Sequence, residues 1–216
     1  FDFFKDGATA AVCSVTGDVW VISGIDDSLK ELKWRRFATG LFQPLGLKIV
    51  NEKIYVLGRD QITRLHDLNE DGEADYYENF NNDISITNHY HEFCLNLETD
   101  AVGNFYFIKG GNLRAATVPH HGCLVKVSAD GSRLEVIASG HRAPNGMSVG
   151  PGGEITSADN EGNWVPSSRV NMVKRGGFYG HVHTAHREQQ PTDYDKPLLW
   201  LPHQVDNSSG GQVWVN

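Results

Sequence analysis

The sequence has few of the features that mark a membrane-spanning, disulfide-stabilised or nucleic-acid-binding chain. Its three cysteines, Cys13, Cys94 and Cys123, form no CxxC pair and allow at most one disulfide. No apolar run approaches the roughly 18–20 residues that span a bilayer, so we expect no membrane span. Nineteen basic residues stand against 27 acidic ones, a net charge of −8. We therefore expect no nucleic-acid partner, because no basic surface is available to neutralise phosphates.

Glycine and aromatic residues are plentiful in the 216 residues. The chain contains 23 Gly, ten Phe, seven Tyr and five Trp, and 39% of its residues are hydrophobic. This composition is sufficient for a folded core. The chain begins at Phe1 without a methionine, and its last residues, 213–216, read as part of a strand. We expect a fragment of a longer protein.

A strand–turn–strand cassette recurs along the chain, at residues 9–24, 45–58, 94–110 and 146–159, with a further start at 212–215. Four antiparallel strands per repeat, at spacings of about 35 to 60 residues, are typical of β-propeller blades, whereas a two-sheet sandwich does not repeat such a unit. The only helical candidate is 28–37, where Trp34 fits a strand equally well.

We predict an all-β fold: one β-propeller domain over 1–216, built of four-stranded antiparallel blades. The predicted blades lie near 8–42, 43–83, 92–140 and 141–200, with a fifth begun at 203–216. Because propellers close with typically 4–8 blades, the ring is expected to be incomplete. Alternating strand directions place the A–B and C–D turns on one face. The longer B–C loops and blade-to-blade links, which carry most of the polar chemistry, lie on the other.

One hairpin has the spacing of a calcium loop. Oxygen-bearing side chains stand at positions one, three, five, nine and twelve around Gly72, and they belong to Asp67, Asn69, Asp71, Asp75 and Glu78. Ca²⁺ prefers six to eight oxygen ligands, and alternating Asp and Asn through a tight turn point their oxygens inward. We predict a structural Ca²⁺ here, on a C–D turn away from the loop-rich face. The alternative is a solvated acidic hairpin.

The ten histidines are clustered. His89 and His91 flank Tyr90, and His120 and His121 are adjacent. On the loop-rich face such side chains provide a general base, a metal ligand or a partner for an anion.

Three motifs follow one another along the chain: the run Ser139-Gly140-His141-Arg142-Ala143-Pro144-Asn145-Gly146, the acidic segment Ala158-Asp159-Asn160-Glu161-Gly162-Asn163-Trp164, and the ending Gly176-Gly177-Phe178-Tyr179-Gly180-His181. They resemble the motifs of the glucose/sorbosone dehydrogenase family of β-propellers. The acidic hairpin before them resembles that of the larger bacterial relatives, which are often fused to haem domains. The resemblance implies a quinoprotein-type fold and activity.

In quinoprotein members of that family the Arg of the first motif contacts the carboxylates of pyrroloquinoline quinone (PQQ), and Arg142 matches it. The family's next residue, Asn, is Ala143 here. The resemblance further implies a second Ca²⁺ held near Glu161, Gly162 and Asn163, and a catalytic His at His91, with His89 as the alternative. We place Trp164, as a wall for the sugar ring, and His121 with the cofactor-binding residues.

Three functions remain open. The first is an oxidoreductase acting on a sugar or sugar-derived alcohol, with PQQ and Ca²⁺ as cofactors. The second is a non-redox carbohydrate enzyme, a polysaccharide lyase or hydrolase, that uses His, Arg and Tyr on the same face. The third is a non-catalytic binding propeller. For the first, the resemblance implies a small-molecule or oligosaccharide substrate, a c-type cytochrome domain as electron acceptor, and a periplasmic or extracellular location.

Overall fold

The computed structural model describes residues 1–111, 118–161 and 166–215. Within these ranges the fold is all-β, and its single helical element is a 3-10 turn at Val182–Thr184. The chain folds as two compact units, Phe1–Asn82 and Asp83–Asn216. In the described part of the chain no helix is long and apolar enough to cross a membrane.

The first unit consists of two antiparallel four-stranded sheets whose strand order follows the chain. The first sheet contains β1 (Asp2–Phe3), β2 (Thr9–Cys13), β3 (Val19–Ser23) and β4 (Lys33–Ala38), and the second contains β5 (Gly46–Val50), β6 (Lys53–Leu57), β7 (Ile62–His66) and β8 (Tyr76–Asn81). Asn51 and Glu52 join β5 to β6 with φ angles of 50° and 61°. Two consecutive positive φ angles are typical of a type I′ turn, whose twist matches that of the flanking strands.

Both sheets of the first unit contribute to one hydrophobic core. Val19 of the first sheet and Val56 of the second are fully buried, and Ala11, Ala38, Leu47, Ile54 and Leu65 pack with them. The outer strands β4 and β8 are mostly exposed. β4 and β8 are therefore less buried than β2, β3, β6 and β7.

The second unit contains the other two sheets. The third sheet is formed by β9 (Cys94–Thr99), β10 (Phe105–Lys109), β11 (Leu124–Val127) and β12 (Leu134–Ser139), and the fourth by β13 (Gly146–Val149), β14 (Ile155–Asp159), β15 (Ser168–Met172) and β17 (Leu199–Leu201). Neighbouring strands in this set are antiparallel. The long connection between β15 and β17 returns to the third sheet, where β16 (Gly177–Phe178) pairs with β12 in parallel.

The core of the second unit is formed mainly by the third sheet together with Met147 of β13 and Tyr179, which follows β16. All five residues of β10 are buried. Four are apolar, and the fifth, Lys109, carries a charge into the interior, which requires an ionic partner.

The predicted four-stranded antiparallel blades are confirmed, and one detail of the first sheet differs from the prediction. In the first sheet β1 precedes the predicted cassette, so its strands are the second and third of the sheet. A two-residue strand has no periodicity from which to predict it. The strand alternative for Trp34 is correct, since Trp34 lies on β4 opposite Ile22. Residues 203–215 contain no strand, so the fifth blade stays a prediction.

Candidate functional site

A cavity of about 330 Å³ in the second unit brings together segments that are far apart in the chain. It lies where β9 begins, where β10 and β14 end, and at the link between β12 and β13. Antiparallel neighbours such as β9 and β10 place the start of one strand beside the end of the next. The cavity is lined by His91, Phe93, Leu95, Gly110, Arg142, Ala143, Pro144, Asn145, Asn160 and Ser208.

Arg142 supplies positive charge to this cavity. Its side chain is 29% exposed, and its Nη1 lies 3.9 Å from Oε1 of Glu161, which is 46% exposed. An ion pair this long and this exposed contributes little to stability. The guanidinium is therefore available to bind an anionic group, and its planar fork suits a carboxylate.

The backbone at Arg142 is held by the buried carboxylate of Asp159, at the end of β14. Asp159 Oδ2 accepts the N–H of Arg142 at 3.0 Å, and Oδ1 accepts the N–H of Ala143 at 2.9 Å. Arg169 donates from Nη2 to Asp159 at 2.9 Å, and the side chains of both residues are at most 1% exposed. A buried, paired carboxylate thus sets the position from which Arg142 extends.

Of the two candidate catalytic histidines, His91 lines the cavity, and His89 is not among the lining residues of the described chain. His91 is exposed and lies three residues before β9. Its ring contacts that of Tyr90, with 4.0 Å between centroids, and its backbone N–H donates to Nδ1 of His89 at 3.3 Å. His91 thus lies at the wall of the cavity, and His89 supports its backbone.

Asn160 presents an unsatisfied acceptor. Its Oδ1 is buried and has no hydrogen-bond partner among the described residues, although Asn160 lines the cavity. Buried polar atoms in proteins nearly always have a partner, so this oxygen points to a missing donor or cation. Together with the charge of Arg142 and the apolar walls of Phe93 and Leu95, it suits a ligand that carries an anionic group, an apolar ring and a hydrogen-bond donor.

A fully buried charged cluster adjoins the cavity in the chain, because Glu92 follows His91 and Lys109 precedes Gly110. Oε1 of Glu92 is 2.8 Å from Nζ of Lys109 and 3.1 Å from Nε2 of His121, and none of the three side chains is exposed. Burial raises the pKa of Glu92, but hydrogen bonds from Lys109 and Thr87 outweigh it and bring this pKa below its usual value. Burial also lowers the pKa of His121. The neighbouring Glu92 raises this pKa but does not cancel the effect of burial.

We expected His121 among the cofactor-binding residues, whereas its ring lies in this cluster. Its Nδ1 accepts the N–H of Val118 at 3.2 Å. Its Nε2 lies 3.1 Å from Glu92 Oε1 but makes no hydrogen bond of regular geometry among the described residues. Sequence reasoning did not identify Glu92 or Lys109. A lysine that ends the otherwise apolar strand Phe105–Lys109 was the available signal.

Two further histidines, His141 and His181, are buried and structural. His141 contacts the carbonyl oxygen of Gly122 through Nδ1 at 3.2 Å and Ser157 Oγ through Nε2 at 3.0 Å. Burial lowers its pKa to about 3. Burial, together with His183, lowers the pKa of His181 to about 4. Neither is among the cavity-lining residues of the described chain.

The predicted calcium loop connects β7 and β8, as expected. Its carboxylates accept backbone N–H groups: Asp67 from Gly72 at 2.7 Å, and Asp75 from Leu68 at 2.7 Å. Asn69 lies between them and donates to Asp71 at 3.1 Å.

Glu78, the predicted twelfth-position ligand, pairs instead with other side chains. Its Oε2 lies 2.6 Å from Arg64 Nη2 and from His66 Nε2. Among the described residues, no group of three or more His, Cys, Asp or Glu side chains is arranged to hold a metal ion. The calcium site stays a prediction that rests on Asp67, Asn69, Asp71 and Asp75.

Of the remaining predicted site residues, Glu161 lies 3.9 Å from Arg142 and is not itself among the lining residues of the described chain. Gly162, Asn163 and Trp164 lie outside the described residues.

Structural comparison identifies the class of the fold. The chain is similar to an oxidoreductase assigned as a glucose dehydrogenase from Thermus thermophilus, with 21% identity, 94% of this chain and 68% of that chain covered, and a TM-score of 0.69. It is similar to the soluble aldose sugar dehydrogenase of Escherichia coli in its apo form, with 13% identity, 97% and 73% coverage, and a TM-score of 0.70. It also resembles the PQQ domain of a pyranose dehydrogenase from Coprinopsis cinerea, with 13% identity, 79% and 54% coverage, and a TM-score of 0.57.

These similarities show a β-propeller fold of the type found in sugar dehydrogenases. The resemblance stated from the sequence motifs is thereby confirmed at the level of fold. No protein-family model and no curated protein matches the sequence.

Proposed function

We propose that the chain is a sugar-oxidising propeller, an oxidoreductase that acts on a hydroxyl of a sugar or sugar-derived alcohol with a PQQ-type quinone in the cavity. One observation carries the proposal: His91 and Arg142, from separate segments, line the same cavity of about 330 Å³. A base and a carboxylate-binding cation within one pocket are the minimum that this chemistry requires. The similarity in fold to sugar dehydrogenases supports it.

Arg142 would bind a carboxylate of the cofactor, because within the described chain its guanidinium has only the distant Glu161 as an ionic partner. The unsatisfied Oδ1 of Asn160 would accept a hydrogen bond from the ligand or contact a cation at the same site. Phe93, Leu95 and Pro144 provide apolar walls that orient a ring and exclude water.

A bound quinone would supply a hydride acceptor for the carbon that bears the substrate hydroxyl. His91 would take the proton of the substrate hydroxyl at a ring nitrogen. The exposure of His91 allows the proton to pass on to solvent afterwards.

Calcium is proposed at two places. The side-chain oxygens of Asp67, Asn69, Asp71 and Asp75 lie around one tight turn and would hold a structural ion. A second Ca²⁺ beside Glu161 would act at the cofactor, as the resemblance implies. The sugar substrate, a c-type cytochrome domain as electron acceptor, and a periplasmic or extracellular location are proposed on the same basis.

The test is reconstitution with PQQ and Ca²⁺, followed by quinone absorbance and dye reduction with a panel of aldoses. We expect the protein to bind the quinone and reduce the dye. Arg142→Ala should abolish quinone binding, and His91→Gln should retain binding while lowering turnover by about 10²–10⁴-fold. Arg133→Ala, at an exposed position outside the cavity lining, is the matched control.

The proposal fails if the protein neither binds the quinone nor reduces the dye. Release of an unsaturated product from a uronate-containing polymer would identify a lyase instead.

A further inference from the structure

The loop that carries His91 is closed on itself by a buried carboxylate. The backbone N–H of Thr87 donates to Oε2 of Glu92 at 2.9 Å, and the hydroxyl of Thr87 donates to the same oxygen. The N–H of Glu92 donates to the carbonyl oxygen of His89 at 3.2 Å, and the N–H of His89 donates to Thr87 Oγ1 at 3.2 Å. Residues 87–92 therefore form a small ring of hydrogen bonds with His89, Tyr90 and His91 inside it.

Lys109 and His121 anchor this ring to the body of the second unit. Both contact Oε1 of Glu92, and the three side chains are completely excluded from solvent. Separating a buried ion pair leaves uncompensated charge in a medium of low polarity, which is strongly unfavourable. Separating Glu92 from Lys109 would therefore cost much stability. Because Glu92 is part of the loop, the ion pair also restrains the loop.

The end of β10 also contacts the backbone of His91. Gly110 directly follows Lys109, and a Cβ atom built on it would lie 2.9 Å from the carbonyl oxygen of His91. The absence of a side chain at Gly110 allows this close approach. The ion pair and the glycine therefore act on the same short segment from adjacent positions.

We propose that Glu92 is a positioning residue: by clamping Thr87 on one side and Lys109 on the other, its carboxylate holds His91 at the wall of the cavity. This role for His91 rests on the proposed function. The clamp itself is a property of residues 87–92, 109 and 121, and it is testable without any turnover.

The test uses Thr87→Val, which removes one hydroxyl and leaves the Glu92–Lys109 pair intact. Thr87→Ser restores the hydroxyl, and Thr99→Val makes the same substitution at the far end of β9. Amide hydrogen exchange of residues 89–92 should accelerate at least about tenfold in Thr87→Val, return toward wild type in Thr87→Ser, and stay unchanged in Thr99→Val. Amides of β9 and β10 should keep their protection in each variant.

Catalysis supplies the second readout. With the reconstituted protein, Thr87→Val should lower kcat about tenfold while the Kd for the quinone stays within twofold, because Arg142 is untouched. Thr87→Ser should recover most of kcat.

Exchange of residues 89–92 that is no faster in Thr87→Val than in Thr99→Val would overturn the clamp. Faster exchange with an unchanged kcat would overturn the positioning role. If the wild-type protein shows no quinone binding and no turnover, the proposed function fails, while hydrogen exchange still decides whether Glu92 clamps the loop. Glu92→Gln is the stronger variant, and it should lower the melting temperature markedly because Lys109 loses its counter-ion.

Discussion

Asp159 accepts the backbone N–H of Arg142 through Oδ2 at 3.0 Å, although 17 residues separate the two in the chain. The same carboxylate binds Arg169 at 2.9 Å. The buried ion pair therefore has two roles. It neutralises two buried charges, and it fixes the segment that presents Arg142 to the cavity. In the clamp proposed above, the buried carboxylate of Glu92 supports His91 indirectly, through Thr87 and Lys109.

Replacing Asp159 by Asn should destabilise the protein. The substitution leaves the Arg169 charge buried without a counter-ion, and breaking one side of a buried pair costs about 3–5 kcal/mol. Guanidinium chloride unfolding measures the loss. Asp193→Asn is the control, because Asp193 pairs with Lys196 at 3.2 Å on the surface, and its unfolding curve should not move. Equal losses in the two variants would contradict the assigned role of Asp159.

Gly110→Ala should impair turnover more than stability. Its Cβ would lie 2.9 Å from the carbonyl oxygen of His91, so this segment must shift. A misplacement of about 1 Å at a reacting group costs up to about 100-fold in rate, and we expect kcat for dye reduction to fall by about 10- to 100-fold. Gly210→Ala, where a Cβ meets no neighbour within 4 Å, is the control. A wild-type kcat in Gly110→Ala would show that the approach of Gly110 to His91 is irrelevant to activity.

Calcium should raise the melting temperature of the protein. An ion that binds only the folded state at 100 times its Kd adds about 2.7 kcal/mol, which corresponds to roughly 5–10 °C for a chain of this size. Differential scanning calorimetry with Ca²⁺ and with a chelator measures the shift. Asp71→Ala should remove it, and Glu73→Gln, in the same loop but outside the predicted ligand set, should retain it. A melting curve that is identical with Ca²⁺ and with chelator would refute the predicted site.

Stability should fall as the pH drops from 7 to 5. Burial lowers the pKa of His141 from 6.5 to about 3, so the unfolded chain binds a proton in this range that the folded chain does not. The stabilisation that depends on neutral His141 is therefore fully present above pH 6.5, and it is lost as the pH falls toward 3. His141 alone accounts for about 2 kcal/mol between pH 7 and pH 5.

Guanidinium chloride unfolding at the two pH values measures this slope. His141→Gln should flatten it, and His203→Gln, at an exposed position, should leave it unchanged. A slope that is the same in His141→Gln as in the wild type would mean that other groups dominate.

Much of the fold was predictable because local sequence patterns determine where its strands and turns lie. The alternation and turn residues of the cassettes at 45–58, 94–110 and 146–159 locate β5, β6, β9, β10, β13 and β14 to within about one residue at each end. β1 and β16 were not predicted, because two residues show no period. The helical candidate at 28–37 was ambiguous because polar and aromatic residues mix on an exposed outer strand.

The site was predictable in part. His91 and Arg142 were identified from motif position and chemistry, and both line the cavity. Glu92, Lys109 and Arg169 were missed, because a charged residue gives no sign in sequence that its side chain is buried or which distant charge it meets. His121 was placed at the cofactor for its chemistry, whereas burial directs its ring to Glu92.

By itself, the sequence determined the repeating strands, the acidic hairpin at 67–78 and the identities of the candidate base and cation, since short-range periodicity and side-chain chemistry are carried by neighbouring residues. Only the tertiary structure decided which carboxylates hold those groups. Packing of non-adjacent strands removes Glu92 and Asp159 from water. Each buried carboxylate then pairs with a cation that is distant in the sequence, Lys109 and Arg169 respectively.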